Sequence, residues 1–412
     1  MDAPLLLIAF HFPPESATGA VRPGRLFQYF PEFGYCPEVI TAADQPTSIQ
    51  DRIHCIPAPM RDFPNKRTLE GIGELVLRKY VLPTEQAIFW SVRAARLGAE
   101  ILYKRPGPIL STSPPLNTHL AALRLKKRYG LPWLADLRDP FYGNPYRPQR
   151  GAGAWLDRRL EAMIFRHADA IMGVTDIMVE RWSASYPQWK DKMQVIWNGF
   201  NPVELLCAEP IPARPHRLLL HLGTLYGPRH PMAVLESIQR LTAIGRLAPG
   251  RIQVHLVGDI AVQILRANEV LIRSLTEAGV VKFMPVVPRS EALSMMSQSD
   301  YLMLLDLHDG AESHAVPAKL YEYIRVGRPV LALTTPNSPV ERILSLSGIA
   351  HELIYPQHSG DQVDERLLRF LSLPSEPAAP SAWFLENFDG RRQTEAVAQI
   401  LDRIGERSRG RS

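Results

Sequence analysis

The chain has 412 residues, 46% hydrophobic and 22% charged, with 47 basic against 42 acidic side chains and a formal net charge of +5. That length and balance suit two globular domains of about 200 residues each and exclude a wholly disordered chain. The three cysteines, Cys36, Cys55 and Cys207, are odd in number and lack paired spacing, which argues against a disulfide framework or a zinc module and fits a reducing compartment.

In chain order, the first apolar run is residues 5–10. It has no basic residues ahead of it and is too short for a signal peptide or a spanning helix, so it reads as a buried strand. No later stretch reaches the roughly 18 uncharged apolar residues of a membrane span; the expectation is a cytoplasmic protein, peripheral to a membrane at most. Residues 11–23 read as a long, polar, proline-rich loop before a helix. Strands are then predicted at 38–41, 109–111, 133–136, 170–174 and 193–197, with helical periodicity between most of them. One such helix carries Leu116, Leu120, Leu123 and Leu125 on one side and Arg124, Lys126, Lys127 and Arg128 on another, and ends at Gly130. After Asn198-Gly199 and a proline-rich stretch at 209–215 the pattern restarts, with strands at 218–222, 252–257, 281–284, 301–305 and 330–332. Residues 383–404 read as a helix pair. Alternating strands and helices predict an α/β fold of two Rossmann-like domains with mostly parallel sheets, facing a central cleft outside the carboxyl ends of the strands.

The strongest motif is Val316-Pro317-Ala318-Lys319-Leu320-Tyr321-Glu322-Tyr323-Ile324-Arg325-Val326-Gly327-Arg328-Pro329. Proline opens a helix where its missing N–H is harmless, Lys319 and Glu322 share a face near the helix start, and Gly327 stops it. A carboxylate there can accept two hydrogen bonds from a ribose diol, while the helix start and Lys319 suit a diphosphate; a helix-dipole role for Glu322 is the alternative. The segment resembles the donor-binding helix of GT-B-fold glycosyltransferases of the family-4, or group 1, type. The resemblance assigns the ribose contact to Glu322. Many members carry a second Glu eight residues earlier, near the sugar, where this chain has His314.

Other segments extend the resemblance. Residues 220–231 are similar to the first loop of the donor domain, in which Gly223 lets backbone amides approach phosphate. Thr224 and His230 stand where relatives place an Arg and a Lys, which makes the neighbouring Arg229 the phosphate candidate, or else an ordinary solvated arginine. Leu256-Val257-Gly258-Asp259 is similar to the next glycine turn, and residues 286–289 match a stretch beside the nucleotide base, implying a contact around Val287. In the first half, residues 11–23 resemble the glycine-containing loop that approaches the donor diphosphate and the acceptor, which singles out Gly19 and Arg22.

After the strand at 133–136 many relatives have a His close to the transferred sugar. Here Arg138 and Asp139 stand there instead, a pattern associated with a branch acting in surface-polysaccharide assembly. Asp139 can deprotonate or orient an acceptor hydroxyl, and Arg138 can stabilise the departing diphosphate; a buried Arg–Asp pair bracing the sheet is the alternative. Asp136-x-x-Asp139 and Asp306-x-x-Asp309 are too few carboxylates for a magnesium site, and GT-B relatives generally work without metal, so neither metal nor cofactor is expected.

The resemblance implies domains at 1–205 (acceptor side) and 206–385 (nucleotide-sugar side), with a C-terminal helix at 386–412 crossing back to the first. It implies transfer of a sugar, with retention, from a nucleoside diphosphate sugar to a glycan or lipid-linked glycan in bacterial surface-polysaccharide synthesis. The other readings are a same-fold sugar-nucleotide enzyme such as a 2-epimerase, and a non-catalytic sugar-nucleotide-binding module. Arg61, Lys66, Arg67, Arg78, Lys79, Arg93, Arg96, Lys104 and Arg105, interleaved with Leu75, Val76, Leu77, Phe89 and Trp90, make peripheral contact with the inner membrane face a candidate beside a plain solvated face. No basic motif with interleaved stacking aromatics points to nucleic acid.

Overall fold

The computed structural model describes residues 2–15, 18–42, 52–58, 88–144, 150–204, 211–307 and 316–410. His314, Asp309, Cys207, Arg61, Lys66, Arg67, Arg78, Lys79 and residues 75–77 lie outside the described residues. The chain forms two compact units: Met1–Asn201 with Asp389–Ser412, and Pro202–Phe388.

The first unit is built on β1 (Ala3–Ala9), β2 (Tyr35–Ala42), β3 (Ile53–Ile56), β4 (Ile109–Ser113), β5 (Trp133–Leu137), β6 (Ala170–Gly173) and β7 (Met193–Val195). They form a seven-stranded sheet in the order β3-β2-β1-β4-β5-β6-β7, with every pairing parallel. A parallel sheet covered on both faces needs strands that are apolar on both sides, and residues 5–9 of β1 are all at most 1% exposed. Leu6 and Ile8 face a core shared with Trp90, Leu123 and Leu125. Leu5 and Leu7 face the opposite core, shared with Phe30 and with Val397, Leu401 and Ile404 of the helix Gly390–Arg409. That helix is tied down further where Tyr35 Oη donates to Asp402 at 2.7 Å and Arg25 Nη2 donates to Gln393 at 3.0 Å.

The second unit has β8 (Arg217–Leu222), β9 (Ile252–Val257), β10 (Val281–Met284), β11 (Tyr301–Leu305), β12 (Val330–Leu333) and β13 (His351–Ile354). Their order is β10-β9-β8-β11-β12-β13, again all parallel. Both sheets therefore have the doubly wound order, reversing direction between β1 and β4 in one and between β8 and β11 in the other. Two strands, β3 and β13, were absent from the sequence expectation. Both lie at sheet edges, with three of their four residues only half-buried, so neither presents a continuous apolar run.

Trp90 requires a correction. It was counted in a membrane-docking mixture, yet it is 0% exposed and packs edge-on against Phe10 with ring centroids 5.1 Å apart. Its ring belongs to the core and is unavailable to a lipid surface. Among the described residues no helix is long and apolar enough to cross a membrane.

The helix Lys319–Val326 ends at Gly327, whose φ is +81°. A Cβ there would run into the carbonyl of Ala378, whose N–H in turn donates to Gly327 O at 3.0 Å. Gly327→Ala is expected to cost about 1–3 kcal/mol, from the left-handed backbone and the lost fit together. Chemical denaturation reads this as a lower midpoint at unchanged slope.

Candidate functional site

In the second unit the switch point lies between β8 and β11. The chain leaves β8 at Gly223, whose φ of +136° is left to glycine. Beside it the turn after β9 brings Gly258 so close that a Cβ there would meet the Gly223 carbonyl. A Cβ on Gly223 would collide with Lys319 Nζ, which instead donates a short hydrogen bond to the carbonyl of Leu222. Burial, then the Arg229 charge, pulls the Lys319 ammonium down to about 8, with Glu322 opposing. This cation is held by a backbone carbonyl, a partner that an anion can outbid.

Arg229 donates to Tyr226 Oη at 2.9 Å and lies 3.7 Å from the fully buried Asp306 at the end of β11. His221 has Nδ1 2.9 Å from Met303 O. A carbonyl only accepts, so Nδ1 carries the proton and Nε2 keeps its lone pair. Burial and Lys319 hold this histidine neutral, with its pKa near 3. Glu322, in the first turn of its helix, stands 2.7 Å from Arg289 Nη2. Thr224 is exposed just past Gly223, and Val287 sits half-buried in the loop after β10. The predicted donor residues within the described chain thus gather at the carboxyl ends of β8 and β10 and at the helix that follows β11.

In the first unit the corresponding switch point lies between β1 and β4, and here the structure departs from expectation. The loop read as running to residue 23 gives way at Thr18 to the helix Thr18–Tyr29, which contains Gly19 and Arg22. Arg22 is only 3% exposed. Its Nε and Nη2 donate to Asp136 at 3.0 and 3.1 Å, and its Nη1 donates to Trp197 O at 2.7 Å. Asp136 also accepts from Thr112 Oγ1 at 2.8 Å. This guanidinium braces the sheet top; a diphosphate-binding role would require dismantling a buried bidentate pair.

Arg138 is likewise turned inward. Its Nε donates to Ser113 O at 2.6 Å, its Nη1 to Gly19 O at 2.7 Å and its Nη2 to Pro114 O at 3.4 Å. Burial lowers its pKa, countered by Asp136 and Asp139. It ties the end of β4 and the start of the first helix to the end of β5. Asp139, the next residue, is half-buried. A buried network that the sequence reading left without a role lies alongside. Trp133 Nε1 donates to Ser111 Oγ at 2.8 Å, and the same hydroxyl is hydrogen-bonded to His119 Nδ1 at 2.7 Å. Burial holds His119 near 3 and neutral.

The loop after Asp139 is anchored by Glu161 on the helix Gly151–His167. Its carboxylate accepts from the N–H of Phe141 at 2.9 Å and of Tyr142 at 3.3 Å, and from Tyr186 Oη at 3.1 Å. Burial pushes Glu161 up to about 7 despite these donors.

No protein-family model and no curated protein sequence matches the chain. Solved structures do. The lipopolysaccharide outer core galactosyltransferase WaaB superposes with a TM-score of 0.61 at 12% identity, over 97% of this chain and 99% of that one. The chain has the GT-B fold. HepE of Anabaena in complex with UDP and glucose matches with a TM-score of 0.58 at 12% identity over 98% of each chain. The UDP-GlcNAc 2-epimerase of Methanocaldococcus jannaschii matches with a TM-score of 0.56 at 11% identity over 98% of this chain and 100% of that one. At such identities the likeness is one of architecture.

Glu161 makes stability depend on pH. Its folded pKa lies above the ordinary 4.5, so its contribution is fully present below pH 4.5 and is lost as pH rises through about 7. Glu161→Gln, neutral throughout, should therefore gain on the wild type by on the order of 2–3 kcal/mol between pH 5 and pH 8. A stability difference that stays flat over that range would show the carboxyl to be unshifted.

Proposed function

We propose that this chain is a glycosyltransferase that moves a sugar from a nucleoside diphosphate sugar, with retention, onto a glycan or lipid-linked glycan acceptor in bacterial surface-polysaccharide synthesis. The observation that carries the reading is the grouping of Lys319, Arg229 and Glu322 around the glycine turn at Gly223: two cations beside one carboxylate. The cations suit a diphosphate. The carboxylate suits the ribose diol, and Val287 is assigned to the base. Thr224 and His314 are assigned to the donor's phosphate and sugar from the resemblance alone.

In the first unit Asp139 is assigned to the acceptor hydroxyl, with Arg138 holding the surrounding loops. The named activities of WaaB and of HepE's bound ligands support a sugar-nucleotide donor. The donor is a substrate, and neither metal nor cofactor is assigned. We place the protein in the cytoplasm, at the inner membrane face when its acceptor is lipid-linked. A 2-epimerase is the second reading, favoured by the Methanocaldococcus neighbour. Incubation with a panel of nucleoside diphosphate sugars, with and without glycan acceptors, separates the two: sugar conversion that needs no acceptor favours epimerisation, and binding without turnover leaves a binding module.

Glu322→Ala should weaken nucleoside diphosphate binding roughly 10- to 150-fold, the loss of charge-assisted bonds of about 1.5–3 kcal/mol. Unaltered affinity in calorimetry would remove the ribose assignment. Asp139→Asn should lower kcat by about 100-fold or more with little change in donor affinity; normal turnover would leave Asp139 a structural residue.

A further inference from the structure

Arg289 opens the helix Arg289–Ser297 just past β10, and its guanidinium lies between two carboxylates. It meets Glu204 side-on, with Nε 3.3 Å from Oε1 and Nη2 2.7 Å from Oε2. The same Nη2 is 2.7 Å from Glu322 Oε1. Arg325, one turn beyond Glu322 on the same helix, donates from Nη2 to the backbone carbonyl of Glu204 at 3.2 Å. The contacts close a ring: Glu322 to Arg289, Arg289 to the Glu204 side chain, and the Glu204 backbone to Arg325.

Each link restricts the next. A two-point contact holds a planar guanidinium in one orientation, as a point-like ammonium would not be held. The Glu322 side chain is only 17% exposed while Arg289 is 47% exposed, so the arginine reaches the carboxylate from the solvent side.

We propose that Arg289 is a positioning residue for ribose recognition, turning the Glu322 carboxylate to receive the 2′- and 3′-hydroxyls of a bound nucleotide. The proposal rests on the donor reading above. A diol needs both carboxylate oxygens in one plane, and a contact fixed on Oε1 supplies that orientation before the ligand arrives. That preset orientation is not available to Glu322 alone.

The test is calorimetric titration of UDP, GDP and ADP, and of their 2′,3′-dideoxy counterparts, into wild type, Arg289→Gln, Arg289→Lys and Glu204→Gln. Arg289→Gln should lose about fivefold in affinity for the ribonucleotide that binds and none for its dideoxy form. Arg289→Lys should recover part of the loss, and Glu204→Gln should show a smaller loss of the same selectivity. If Arg289→Gln fails to fold, the other two variants decide by the same criterion. Equal loss for ribo and dideoxy ligands, or no loss for either, overturns the role of Arg289 and leaves the donor reading standing. A wild type that binds none of the ribonucleotides overturns the donor reading, and this proposal falls with it.

Discussion

In each sheet two strands lie side by side whose outgoing connections travel in opposite directions: β1 and β4 in the first unit, β8 and β11 in the second. Where connections diverge, a crevice forms outside the carboxyl ends of the strands. The interior of a parallel sheet has no room for unpaired polar groups, so the polar residues collect at these ends. Thr112 and Asp136 do so in one sheet, His221, Asp306 and Thr334 in the other, all essentially buried.

The two units use that geometry differently. In the first, the cations are consumed internally: Arg22 by a bidentate buried carboxylate, Arg138 by three carbonyls. Removing either partner of such a pair strands a charge in a poorly solvated place; these residues make the platform rigid. In the second, Lys319 rests on a carbonyl, and Arg229 on a phenol and a carboxylate 3.7 Å away. Arg22 and Arg138 thus tie together segments far apart in the first unit, while Lys319 and Arg229 lie beside the glycine turn of the second.

Much of the architecture was legible because buried parallel strands have a local signature. The runs at 252–257, 281–284 and 301–305 coincide with β9, β10 and β11. The edge strands β3 and β13 escaped because a half-buried strand carries mixed residues, as His351-Glu352-Leu353-Ile354 does. The helix that carries Lys319 and Glu322 was legible because it has a proline before it and a glycine after it. The contacts of Arg22 and Arg289 were not legible, for one reason. Their partners, Asp136 and Glu204, lie far away in the chain, and neither spacing nor periodicity reports on a contact made by folding.

Gly223 and Lys319 share one small volume: the space a side chain would need at the first is filled by the ammonium of the second. Shortening residue 319 would open that space but would not admit a side chain at 223, because the backbone there, with its φ of +136°, still reserves the position for glycine. The atom missing at 223 thus decides where the charge of residue 319 comes to rest.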